Sequence, residues 1–249
     1  MMIVIQYTRS VIFIFCMYAA LPIIGLLYLP AAIASRASAL AACHAYCRWV
    51  RWSAGWMVGL RSEVRGEPPT DEVLIAAKHQ SFFDIILIFG AVPRGRFIMK
   101  KQLKWAPVLG WYALRIGCIP VDRGKRGQAI AAMKEAVEQG RQEPGQLIIY
   151  PEGTRRAPGA PPAYKIGSAV LYTQLAQDCV PVAANVGVFW PRHGILRKPG
   201  TAVVEFLPRI EPGLPNETFM QVLQERIETA SDRLLAEAGF TRRAVPNGD

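Results

Sequence analysis

Residues 73–84 read Val73-Leu74-Ile75-Ala76-Ala77-Lys78-His79-Gln80-Ser81-Phe82-Phe83-Asp84. The apolar run 73–77 has the length of a buried strand, and the apolar stretch 85–89 that follows Asp84 suits a buried helix. Between them a histidine, a serine two residues on and an aspartate five residues on mark a strand-to-helix turn. On an uninterrupted helix, side chains five apart point about 140° away from each other and do not meet. With Ser81 capping the helix, the turn folds His79 back, so that Asp84 holds one ring nitrogen and the other faces a substrate. That is a general base with an orienting carboxylate. A second reading stands beside it. Ser81-x-x-Asp84 is also a capping box, in which Asp84 only accepts a backbone N–H and His79 is a hydrogen-bonded turn residue.

Working outward, strand-like stretches fall at 73–77, 96–99, 118–121, 147–150, 180–188 and 202–207. Helical periodicity predicts an amphipathic helix over 128–139, with Ile130, Met133 and Val137 on one face. A longer helix is expected over 217–238, with Asn216 as its cap and Phe219, Leu223, Ile227 and Leu234 on one face. The alternation indicates an α/β domain, a mixed sheet flanked by helices. The polar tail from 241 to 249 reads as disordered.

The N-terminal end differs. No charged residue occurs from Ser10 to Ser35. Twenty-six helical residues span about 39 Å against a hydrocarbon core of roughly 30 Å. Pro22, Gly25 and Pro30 interrupt the run, which leaves two geometries: a kinked spanning helix, or two shorter helices dipping into one leaflet. Trp49, Trp52 and Trp56 then interleave with Arg48, Arg51 and Arg61. That pattern suits a headgroup layer, or an amphipathic helix packed on the domain. Residues 1–60 are therefore expected to form a membrane-anchoring helical region. The arginines after the apolar run place the main domain on the cytoplasmic side.

Composition narrows the function. The 249 residues suffice for one domain with an appendage, and 51% are hydrophobic, enough for a sizeable core. Arg9 and Arg36 are the only charges before residue 48, so +8 of the +10 net charge sits on the remainder. A basic domain calls for an anionic partner. Nucleic acid fits poorly with so apolar an N-terminus. The five cysteines are odd in number and contain no Cys-x-x-Cys, which suits small buried hydrophobes in a reducing compartment. Cys43-His44 with Cys47 is too sparse for zinc, and no metal is expected. With only His44, His79 and His193 present, any histidine chemistry uses one of these.

Three more stretches carry polar groups to strand ends. Lys100 and Lys101 precede Gly117-Cys118-Ile119-Pro120-Val121-Asp122-Arg123, where a strand delivers an aspartate and an arginine to a glycine turn. Tyr150-Pro151-Glu152-Gly153-Thr154-Arg155-Arg156 also follows a strand. It gathers a carboxylate, backbone N–H groups, a hydroxyl and a guanidinium, a set suited to a phosphate and its adjoining hydroxyls. Val180-Pro181-Val182 opens another strand.

His79-x-x-x-x-Asp84, then Gly117 to Arg123, then Pro151 to Arg155, then Val180-Pro181-Val182, in this order, closely resembles the glycerolipid acyltransferase family, best its bacterial 1-acyl-glycerol-3-phosphate members. The resemblance covers roughly residues 50–210. It implies an acyltransferase domain over 61–240 with the family's α/β fold, a mixed sheet flanked by helices. It implies His79 and Asp84 as the catalytic pair. Arg123, Glu152, Gly153, Thr154 and Arg155 would hold the glycerol phosphate, with Lys100, Lys101 and Lys165 as phosphate neighbours. The fourth motif would shape the acyl-chain site. The implied reaction moves a fatty acyl group from acyl-CoA or acyl carrier protein to the 2-hydroxyl of a membrane lysolipid, with no cofactor, at a bacterial inner membrane. Histidine suits the base, because its ordinary titration falls near neutral pH. Alternatives are a relative acting on lyso-ornithine lipid or glycerol 3-phosphate, and a non-enzymatic basic membrane-surface protein. A serine hydrolase built on Ser81 lacks the Gly-x-Ser-x-Gly elbow.

Overall fold

The structure, a computed structural model, describes residues 2–121, 131, 135 and 145–241. A seven-stranded sheet forms its centre, in the order β1-β7-β6-β2-β5-β3-β4. The strands are β1 (Leu60–Arg65), β2 (Leu74–Ala77), β3 (Gly95–Lys100), β4 (Ile119–Val121), β5 (Gln146–Ile149), β6 (Cys179–Ala184) and β7 (Gly200–Phe206). All neighbours run parallel except β6 and β7. The expected mixed sheet is thus present.

Both faces of the sheet are covered, and this explains the unbroken apolar runs at its centre. Ile75 and Ala77 of β2 join one core cluster, with α2 (Arg36–Val58) and α3 (Phe83–Ala91). Leu74 and Ala76 join the other, with α5 (Gly167–Leu175) and α6 (Asn216–Glu237). A short helix, α4 (Leu109–Arg115), follows a 3-10 turn at Lys101–Trp105.

Several boundaries differ from the sequence reading. The strand expected over 180–188 ends at Ala184, and Val186–Val188 wind into a 3-10 turn. Pro215, not Asn216, precedes α6 as its cap, and the Asn216 side chain instead accepts a hydrogen bond from Thr173. β1 carries Arg61, Glu63 and Arg65, charges that suit an edge strand and hide it from a search for apolar runs. Of the helix expected over 128–139 only residues 131 and 135 are described, and the tail from 242 onward lies outside the described residues.

The N-terminal run forms one helix, α1 (Met2–Ala34), with Pro22 and Pro30 inside it. It is longer than the uncharged stretch, and it folds back on α2 as a hairpin. Both of its ends are fastened to the rest of the molecule. Gln6 donates to the carbonyls of Val58 and Arg197, and the Ser10 hydroxyl accepts from the Arg197 N–H. At the far end Arg115 donates to the carbonyls of Ala32 and Ile33, and Tyr112 to that of Gly25. A side chain at Gly25 would not fit, since a Cβ there would stand 2.4 Å from Val108 Cγ1. Between Gln6 and Ala32 the helix covers about 39 Å. Its outward face is apolar, with Phe15, Tyr18, Leu26 and Leu27 among its exposed side chains.

Candidate active site

The parallel strands β2 and β5 deliver their carboxyl ends to one place, where loops of a parallel sheet gather ligands. β2 ends at Ala77, and the chain turns through Lys78, His79, Gln80 and Ser81 before α3 begins. His79 Nδ1 lies 3.0 Å from Asp84 Oδ1. The other carboxylate oxygen, Oδ2, accepts from the backbone N–H groups of Gln80 at 2.8 Å and Ser81 at 2.7 Å. The Ser81 hydroxyl accepts from the Phe83 N–H at 3.1 Å. Asp84 thus makes both contacts, one oxygen facing the His79 ring and the other accepting the backbone N–H groups. Phe82, not Ser81, is the residue immediately before the helix.

The carboxylate is fully buried, and the His79 side chain is 13% exposed. Asp84 fixes the ring nitrogen it faces and leaves Nε2 for other work. Tyr150, directly after β5, stacks on the imidazole with ring centroids 3.9 Å apart and planes 19° apart. Burial, with the Asp84 carboxylate nearby, pushes the Tyr150 phenol well above its ordinary range, so it remains protonated. The backbone N–H of Arg156 donates to the His79 carbonyl at 2.8 Å and ties the two loops together.

His79 opens into a cavity of about 660 Å³. Its walls are Ile24 and Tyr46 of the hairpin, Phe82, Ile86 and Phe89 at α3, and Leu109 and Ile116 at α4. Lys100, Arg155 and Arg192 line it too, together with Gly153 and Thr154. A largely apolar chamber carrying cations beside a histidine suits a molecule with an acyl chain and an anionic head.

The expected site residues separate into groups. His79, Asp84, Gly153, Thr154 and Arg155 come together. Lys165 stands behind Gly153, its Nζ 3.0 Å from where a Cβ on that glycine would lie. Lys101 is exposed on the 3-10 turn, and its neighbour Lys100 is the one on the cavity wall. Arg123 lies outside the described residues. Val180, Pro181 and Val182 are buried within the sheet, in β6 between β2 and β7, and are not among the residues lining this cavity.

Glu152 faces inward. Its carboxylate is 2% exposed and lies 3.3 Å from Lys78 Nζ, which also pairs with Glu228 of α6 at 2.6 Å. Tyr164 donates to Glu228 at 2.9 Å, and the Ala163 N–H donates to Glu152 at 3.3 Å. Burial raises the Glu152 carboxyl above its ordinary value, and Lys78 partly offsets this. The network joins the His79 turn, the 150–156 turn and α6.

Three features escaped the sequence reading. Arg192 lies between β6 and β7, donates to the Arg155 carbonyl at 3.1 Å, and had no motif around it. Gln80 is buried and accepts from the Gly187 N–H at 3.0 Å, bracing the turn. Lys78 and Glu228 are 150 residues apart, and only the fold brings them together. Among the described residues no group of three metal-ligating side chains occurs.

Known proteins match this chain in both sequence and fold. A 1-acyl-sn-glycerol-3-phosphate acyltransferase of Pseudomonas aeruginosa is 26% identical over 202 residues, 80% of this chain and 79% of that protein. The human 1-acyl-sn-glycerol-3-phosphate acyltransferase alpha is 32% identical over 135 residues, 52% of this chain and 47% of that protein. The crystal structure of the 1-acyl-sn-glycerophosphate acyltransferase PlsC from Thermotoga maritima superposes with a TM-score of 0.81. It covers 95% of this chain at 21% identity, so it speaks for the fold. The family model described as Acyltransferase matches residues 61–185, half of the chain, and spans both the His79–Asp84 pair and the 150–156 turn: the chain belongs to the acyltransferase family.

Proposed function

We propose that this acyltransferase moves a fatty acyl group from a thioester donor to the free 2-hydroxyl of 1-acyl-glycerol 3-phosphate, giving phosphatidic acid. The observation that carries this reading is the His79–Asp84 pair, 3.0 Å apart, opening on an apolar cavity that also holds Lys100, Arg155 and Arg192. The names of the matched relatives support the acceptor.

In the proposed reaction His79 Nε2 takes the proton of the acceptor hydroxyl as its oxygen attacks the thioester carbonyl. Asp84 keeps the Nδ1 proton in place and stabilises the imidazolium. The tetrahedral adduct collapses, the carbon–sulfur bond breaks, and the thiolate leaves with the proton held at Nε2. The products are an ester and a free thiol, and the enzyme returns unchanged. Tyr150 limits the tilt of the ring by stacking on it.

Arg155, Arg192 and Lys100 are assigned to the acceptor phosphate, with Thr154 and the backbone of Gly153 beside them, and Lys101 as an outer cation for the anionic donor. Arg123 is assigned to the same phosphate on its motif alone. Glu152 serves by position: with Lys78 and Glu228 it holds the turn that carries Gly153, Thr154 and Arg155. Acyl-CoA and acyl carrier protein are both anionic and both suit the basic domain.

The α1–α2 hairpin is assigned to one leaflet of the membrane. A helix fastened to its own domain at two points about 39 Å apart carries that domain along its whole length, which a helix crossing the bilayer does not do. The proposed site is the cytoplasmic face of a bacterial inner membrane, where the acceptor is found.

The test is acyl transfer by the purified chain on a panel of acceptors: lysophosphatidate, glycerol 3-phosphate and lyso-ornithine lipid. Use of lysophosphatidate well above the others supports the assignment. Preference for an acceptor without a phosphate would overturn it.

A further inference from the structure

The face of α2 that turns away from the catalytic cavity carries Arg48, Trp52 and Trp56 at successive turns. With Arg51, Arg61 and Ser62 they line an open groove between α2 and the edge strand β1. Both indoles are largely exposed, Trp52 at 63% and Trp56 at 69%. They stack on each other with centroids 5.7 Å apart and planes 17° apart. Arg51 Nε donates to the Ser62 hydroxyl at 2.9 Å. Among the described residues no acidic side chain lines the groove.

Two large rings left in water are a cost that the fold itself does not require, because Trp52 and Trp56 cover no core. Next to the groove, Arg9 of α1 donates to the carbonyls of Trp56 and Met57. That contact fastens α1 beside the C-terminal end of α2, and in the first turns of α1 Ile3, Val4 and Ile5 are each more than half exposed. This end of the molecule thus offers exposed apolar side chains on α1, a pair of indoles and a set of arginines. A soluble anion would use only the arginines. A phospholipid uses all three, with acyl chains on the apolar side chains, the interfacial zone on the indoles and the phosphate on the guanidiniums.

We propose that this groove, lined by Arg48, Arg51, Trp52, Trp56 and Arg61, is a binding site for the headgroup of an anionic membrane phospholipid. It is separate from the catalytic cavity, with which it shares no lining residue. It lies on the opposite face of α2 from Tyr46 and Cys47, which line that cavity. Its ligand is a lipid of the host membrane, held while the reaction proceeds elsewhere.

The test uses the full chain in neutral detergent micelles doped with phosphatidylglycerol brominated in its acyl chains. The zwitterionic phosphatidylcholine counterpart serves as the comparison, and tryptophan fluorescence is the readout. Phosphatidylglycerol should quench preferentially, and the preference should fade at high salt. An arginine near an anionic lipid contributes a preference of about fivefold, so R48Q/R61Q should lower it about twenty- to thirty-fold. W52F/W56F should remove the preferentially quenched part of the signal. Acyl transfer in neutral micelles should be unchanged in both variants, and the quenching result stands whatever acceptor the enzyme uses. Equal quenching by the two lipids, or a preference that survives R48Q/R61Q, overturns the proposal. So does displacement of the lipid by inorganic phosphate, which would make this a free-anion site. Displacement by CoA would make it a nucleotide site and overturn it as well.

Discussion

Replacing Asp84 by Asn tests the proposed mechanism at a single atom. The Oδ2 atom accepts from two backbone N–H groups, at 2.8 and 2.7 Å. An amide NH2 placed there would face two donors, so the substituted side chain must put its carbonyl oxygen toward Gln80 and Ser81. Its NH2 is then forced toward His79 Nδ1. That nitrogen becomes an acceptor, the ring proton moves to Nε2, and the base loses its lone pair. Loss of a general base costs about 10²–10⁴ in rate, or about 2.7–5.4 kcal/mol in the barrier. The fold should survive. Two bonds to a charged acceptor, each about 1.5–3 kcal/mol, become neutral bonds of about 0.5–1.5 kcal/mol each, so the stability loss should be about 2–3 kcal/mol. The assay is kcat and acceptor KM in micelles, with a urea midpoint measured alongside. The expected result is a collapsed kcat, a KM within a few-fold of normal, and a folded protein. An Asp84→Asn enzyme with near-normal kcat would refute the reasoning, because the carboxylate would then be a helix cap and nothing more.

Arg155→Lys should lower kcat/KM for lysophosphatidate about ten- to a hundred-fold and leave donor kinetics nearly unchanged, since a lysine cannot reproduce a forked contact; equal effects on both substrates would move Arg155 away from the acceptor. Glu152→Ala leaves Lys78 with Glu228 alone, so it should lower the urea midpoint and depress kcat more than it raises acceptor KM; a raised KM with normal stability would instead make Glu152 a direct phosphate contact. Asp71 is held below its ordinary value, first by hydrogen bonds from Arg209. A depressed carboxyl adds stability above its unfolded pKa near 3.8 and loses it as the pH falls through the folded value. Asp71→Asn should therefore narrow the gap between urea midpoints at pH 7 and pH 3, with an effect under about 1 kcal/mol at neutral pH because the pair is about half exposed; an unchanged gap would remove the ion pair from the acid response. The hairpin should stay in the membrane fraction through high-salt and alkaline washes, and release by salt alone would show that charge, not the apolar face of α1, holds it.

The parts of this molecule legible in its sequence are those whose chemistry is local. Residues 73–77 read as a strand because both faces of β2 are buried, and His79 with Asp84 lie on one short turn. The 150–156 turn was visible for the same reason. β1 was missed because an edge strand with one wet side alternates Arg61, Glu63 and Arg65 with Leu60, Ser62 and Val64 and offers no apolar run. Arg192 was missed because nothing near it in sequence is unusual; its meaning comes from Arg155, 37 residues earlier. Glu152 could be seen but its direction could not, since its partner Lys78 is reached only through the pairing of β2 with β5. The apolar N-terminus was legible as a long uncharged run, but the bonds that pin Gln6 and Ala32 to distant residues, on which the proposed one-leaflet geometry rests, were not.

Those two pins also bear on how turnover should be measured. If the hairpin lies in one leaflet as proposed, a domain stapled to α1 at both ends has no hinge on which to swing out into water, and the proposed base, His79, would be kept at a fixed depth. The concentration such an enzyme senses is then a surface mole fraction, not a bulk molarity. Diluting the acceptor with inert lipid should slow the reaction at constant total acceptor, while diluting the whole suspension with buffer should leave the rate per enzyme unchanged.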